Sequence, residues 1–116
     1  MKTIWNRVNE ALSGLGVRVA NNRLVMESGE GFPDRFLVFQ EITAIPEEHW
    51  DDRETVREHL VQVNCWSRNG FESFPDVEAA MTAQGFLFSA ARDLGFDNES
   101  GHYGRNMDFL FYEERS

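Results

Sequence analysis

The sequence predicts an α+β domain: a mainly antiparallel β-sheet with two helices packed on one face and a C-terminal β-hairpin. Three observations predict it. Residues 59–68, His-Leu-Val-Gln-Val-Asn-Cys-Trp-Ser-Arg, place Val61, Val63 and Cys65 on one side of a strand. Leu60, Gln62, Asn64 and Trp66 fall on the other, because successive strand side chains alternate faces. One all-apolar face and one part-polar face mark a sheet that is covered on one side and partly wet on the other. Residues 35–43 repeat the character, with Phe36, Val38 and Ile42 on one side and Leu37 and Phe39 on the other. The third observation is a pair of apolar stripes at helical spacing, one at each end of this strand pair.

The first stripe is Ile4, Val8, Leu12 and Leu15, which predicts a helix over 3–15. Thr3 is placed to cap its start, and Gly14 and Gly16 to stop it. This is a packing helix. Residues 17–20 and 23–26 then read as two short strands around a tight turn at Asn21-Asn22, since asparagine tolerates positive φ. Residues 27–34, with Gly29, Gly31 and Pro33, form a loop that delivers the chain to the 35–43 strand.

Residues 44–58 lack clean periodicity and carry Glu47, Glu48, Asp51, Asp52, Glu54 and Glu58 against Arg53 and Arg57. They read as a long acidic loop, and connections of that length in small domains are often functional. Trp50 has two readings there: an interface anchor, or a ring that folds back onto the domain.

After the 59–68 strand, Asn69-Gly70 makes a turn. Ser73 reads as the cap of a second helix, with Pro75 in its first turn and Asp76 completing a capping box. Val77, Ala80, Met81 and Gln84 form its inward stripe, and Gly85 ends it. Residues 86–92 and 103–112 are two further strands. The second has Met107, Phe109 and Phe111 on one face and Asp108, Leu110 and Tyr112 on the other. The turn formers Asp97-Asn98-Glu99-Ser100-Gly101 join them into a hairpin.

At 116 residues the chain suits one domain, 1–116, with a modest core, and its ten Phe and three Trp favour a folded chain. A net charge of −9 opposes nonspecific binding to nucleic acid or to an anionic membrane. It fits solubility or a basic protein partner. No apolar run reaches the length of a membrane span, and the N-terminal residues lack the apolar core of a signal peptide, which favours cytoplasmic synthesis. One cysteine excludes an internal disulfide, and Cys65 on an apolar strand face reads as a buried, inert thiol.

His49, His59 and His102 show no paired metal-ligand spacing. His49 among the loop carboxylates is the one place where a His/Asp/Glu metal site is conceivable, against the usual solvation of charged loops. No nucleotide loop, nucleophile elbow or basic-aromatic signature occurs, so the residues support no enzyme and imply no cofactor.

The chain resembles the small tail terminator (tail completion) proteins of long-tailed bacteriophages and prophages, of the lambda minor tail protein U type. Three patterns carry the resemblance. The first is the helix end at Ala11-Leu12-Ser13-Gly14-Leu15-Gly16-Val17. The second is the pair Phe36-Leu37-Val38-Phe39-Gln40 and Val61-Gln62-Val63-Asn64-Cys65-Trp66. The third joins Gly85-Phe86, Glu99-Ser100-Gly101-His102-Tyr103 and Asn106-Met107-Asp108-Phe109-Leu110-Phe111-Tyr112. Together they span most of the chain, and each is short and degenerate.

The resemblance implies a single tail-terminator-like domain and a structural, non-enzymatic role in virion assembly and head–tail joining. Family members form rings, typically hexameric, that cap the head-proximal end of the tail tube and stop its polymerisation. The implied partners are further copies of the chain, the tail tube protein and the head–tail connector protein, with neither sequence-specific nucleic acid nor membrane. The implied location is the virion tail, assembled in the host cytoplasm. Glu47, Glu48, Trp50, Asp51, Asp52, Arg53 and Glu54 are the expected interface. The alternatives are a monomeric acidic binding module, another neck protein, or a metal protein built on His49.

Overall fold

A computed structural model describes residues 3–22, 24, 31–46, 56–70 and 74–114. Helix α1 (Ile4–Leu12) starts where the Thr3 hydroxyl accepts the Asn6 N–H at 3.1 Å. One turn of 3-10 helix, Ser13–Leu15, follows and ends at Gly16, whose φ of +75° is open to glycine without strain. The cap at Thr3, the stripe of Ile4, Val8 and Leu12 and the stop at Gly16 are as the sequence predicts, whereas Gly14 and Leu15 lie within the 3-10 turn.

Strand β1 (Arg18–Asn21) comes next, and Asn22 takes a φ of +70°. The expected partner strand over 23–26 falls mostly outside the described residues, and Leu24 is not in a strand. β1 instead pairs in parallel with β2 (Arg35–Pro46), from Arg18 opposite Phe36 to Asn21 opposite Phe39. Short-range turn chemistry at Asn21-Asn22 marks the end of a strand but does not choose its partner.

β2 and β3 (Val56–Ser67) form an antiparallel ladder from Arg35 opposite Ser67 to Pro46 opposite Arg57, with a bulge between Glu41 and Thr43. This corrects the expected loop over 44–58, whose two ends are strand. Ladder bonds run through the backbone, so the pairing extends past the point where apolar alternation stops.

Helix α2 (Val77–Ala83) is capped by Asp76, whose carboxylate accepts the Ala79 N–H at 3.1 Å. The expected cap, Ser73, lies outside the described residues. Pro75 precedes the helix rather than occupying its first turn, because the capping carboxylate that accepts a free N–H belongs to Asp76, three residues later than Ser73. Val77 and Met81 are buried, Ala80 is half-buried, and Gln84 is exposed as the C-terminal cap residue, not part of the stripe.

β4 (Leu87–Asp97) and β5 (His102–Glu114) form the C-terminal hairpin. The Gly101 N–H donates to the Asp97 carbonyl across the turn at 2.8 Å.

The five strands lie in the order β1-β2-β3-β5-β4, and every pairing except β1 with β2 is antiparallel. Ile4, Val8 and Leu12 of α1 and Val77 and Met81 of α2 meet Leu37, Phe39, Val61, Val63, Cys65, Met107 and Phe109 in one core. Both helices therefore cover the same face of the sheet. Each fully buried side chain of this size contributes roughly 1.5–3 kcal/mol. No helix among the described residues is long and apolar enough to cross a membrane.

Candidate interaction surface

The expected interface residues Glu47, Glu48, Trp50, Asp51, Asp52, Arg53 and Glu54 lie outside the described residues, as does His49. The ladder fixes only where that segment begins and ends, beyond Pro46 and Val56 at the far end of β2 and β3.

Among the described residues the sheet ends in an open edge at β4. β4 is the last strand, hydrogen-bonded on one side to β5, and all eleven of its residues are exposed. Phe88, opposite Phe109, and Phe96, opposite Tyr103, share the helix-covered face. Phe96 nonetheless stays 50 % accessible and Leu87, opposite Leu110 on the other face, 55 %. Leu94 sits at one of two bulges, between Asp93 and Gly95. An edge this long and apolar offers unpaired backbone groups and side chains to another chain. The expected strand over 86–92 covers only half of it. The bulges break the alternation that would have shown the rest.

The face opposite the helices is polar at its centre. Gln40 donates to Gln62 at 3.2 Å, and Asp108 accepts from Gln62 at 3.4 Å and from Asn106 at 3.2 Å. Beside this row lies a shallow cavity of about 250 Å³ lined by Gln62, Ala90, Ala91, Arg92, Asn106 and Asp108. At one end of the same face Phe36 stacks on Trp66 at 6.4 Å, and His102 meets Phe36 edge-on at 5.2 Å. His102 is buried, and its Nε2–H donates to the Pro33 carbonyl at 2.7 Å, which ties the segment before β2 to β5. Trp66 lies over Gly104, where a Cβ would come within 2.8 Å of the indole ring.

On the helix-covered face, the buried His59 ring bridges two carboxylates. Its Nδ1 contacts Glu41 of β2, and its Nε2 lies 3.2 Å from Glu113 of β5. No sequence spacing announced this group, since its members are far apart in the chain. No cluster of three or more His, Cys, Asp or Glu among the described residues is arranged to hold a metal. Cys65 is buried, and desolvation pushes its thiol from 9.0 up to about 12, against a smaller opposing pull from Arg105. The thiol lines a cavity of about 350 Å³ with Phe74, Asp76, Arg105 and Met107. It is not a thiolate nucleophile at neutral pH.

The described residues thus present an exposed apolar edge on β4, a polar row on the open face and a buried His59 between two carboxylates. No protein-family model matches the chain, and no curated protein matches it.

Proposed function

We propose that the chain is a structural assembly protein of a bacteriophage or prophage tail. It forms a closed ring that caps the head-proximal end of the tail tube, stops tube growth and contributes to the head–tail joining surface. Its partners are further copies of itself, the tail tube protein and a head–tail connector protein, and it acts without a cofactor. The resemblance of the sequence to tail terminators supports this reading.

The observation that carries it is the exposed eleven-residue edge strand β4 with Leu87, Phe88, Leu94 and Phe96 accessible. β4 carries bulges and the charged Arg92, Asp93 and Asp97, devices that blunt an edge, yet it keeps eleven exposed residues and four accessible large apolar side chains. A ring builder needs such an edge, because a heterologous contact that closes on itself generates a ring from one domain. The chain's net charge of −9 opposes nonspecific binding to DNA phosphates.

The test is tube capping. Tail tube protein polymerising in the presence of this chain should stop short, with the chain found at one tube end by electron microscopy. Tubes of unchanged length, with none of the chain bound, would contradict the proposal.

A further inference from the structure

Among the described residues the strand order ends at β1 on one side and β4 on the other, and the directions of these edge strands are fixed by the pairings between them. β1 runs parallel to β2, β2 antiparallel to β3, β3 antiparallel to β5, and β5 antiparallel to β4. β1 and β4 of one chain therefore point in opposite senses. Copies related by rotation about an axis along the strands keep those senses. Where β4 of one copy meets β1 of the next, the junction is antiparallel.

Register and face agree with this junction. Arg18 and Ala20 are registered with Phe36 and Val38 on the open face, and Val19 and Asn21 with Leu37 and Phe39 on the helix-covered face. On β4, Asp97 and Gly95 are registered with His102 and Gly104 on the open face, and Phe96 with Tyr103 on the helix-covered face. Setting Val19 opposite Phe96 brings Arg18 opposite Asp97 and Ala20 opposite Gly95. Every pair then shares a face. One pair is opposite in charge and one is β-branched against aromatic, both favourable cross-strand combinations, and the third, Ala20 with Gly95, is small against small and adds no clash. The Asn22 N–H donates to the Phe39 carbonyl in the parallel β1–β2 ladder. By alternation Val19 and Asn21 turn their backbone groups away from β2, toward a neighbour.

From these features we infer that copies of this chain join edge to edge, β4 of one pairing antiparallel with β1 of the next. The register sets Arg18 opposite Asp97, Val19 opposite Phe96 and Ala20 opposite Gly95. The occupant of the β4 edge is thus a second copy. The joint sheet keeps all helices on one side and all open faces on the other. This inference rests on the self-assembly part of the proposed function and names the surfaces it uses.

The test is cysteine pairing between Val19 and Phe96. Directly opposed residues in an antiparallel pair have Cα atoms about 4.5–5.5 Å apart, within the range a disulfide spans. The native Cys65 is buried and does not compete. Under mild oxidation the doubly substituted Val19→Cys/Phe96→Cys chain should give a ladder of covalent multimers that reduction abolishes. Each single variant should give none, and a mixture of the two single variants should stop at a covalent pair.

Solution mass and tube capping are measured on the unsubstituted chain in parallel. Multimers by mass without the covalent ladder would overturn the edge pairing and leave the ring reading standing. A species that ends at two copies would indicate an isologous contact and also overturn it. Capping by a chain that shows no ladder would do the same. As a check independent of oxidation, Phe96→Lys should lower the average mass toward one copy, and an unchanged mass would overturn the pairing.

Discussion

β3 and β4 have nearly the same length and sit two places apart in one sheet, yet their burial is opposite. β3 carries Val61, Val63 and Cys65 almost wholly removed from water, whereas β4 buries no residue at all. Both are rich in apolar side chains. The difference is position: β3 lies between β2 and β5 with helices over one face, while β4 lies at the edge beyond the helix-covered centre. Hydrophobic side chains are thus buried in the core by one strand and left exposed to solvent by the other.

The contrast yields predictions that run from the centre of the sheet to its edge. Phe109→Ala, at the fully buried position opposite Val61, should cost roughly 3–5 kcal/mol in denaturant unfolding through lost burial and a residual cavity. Cys65 gives a pH signature. Its folded pKa of about 12 lies above its ordinary 9.0, so between those values the unfolded chain loses the proton first. The stability contributed by the protonated thiol is full below pH 9.0 and declines as pH rises toward 12. A Cys65→Ala chain should show a shallower alkaline loss in unfolding titrations.

Gly104→Val should destabilise by about 1–3 kcal/mol, because its side chain meets the Trp66 ring, and the near-ultraviolet signal of the indole should change with it. Asp76→Ala should cost about 1 kcal/mol of thermal stability by removing the α2 cap. At the edge, Phe96→Lys should change monomer stability by only about 0.5 kcal/mol or less, as an exposed substitution does, while reducing self-association. A core-sized loss at Phe96 would erase the contrast between the two strands.

How much of this was legible in the sequence follows the same contrast. The two faces of β3 could be read from Val61-Gln62-Val63-Asn64-Cys65, because a central strand with one covered face alternates regularly. The α1 stripe, Thr3 and Gly16 were legible because capping and helical spacing are local. The parallel pairing of β1 was not, since partner choice is a long-range property that Asn21-Asn22 does not encode. The full extent of β4 was hidden by its bulges at 88–90 and 93–95. The bridge from Glu41 through His59 to Glu113 joins three strands and has no local signature. Gly104 looked like any glycine until the indole of Trp66 was placed over it.

Self-association through the sheet edge is tested most directly by solution mass, measured by light scattering over a range of protein and salt concentrations. The unsubstituted chain should reach a discrete multi-copy species, and Phe96→Lys, with an unchanged far-ultraviolet spectrum, should remain at the mass of one copy under the same conditions. A one-copy mass for the unsubstituted chain at every concentration would contradict the account.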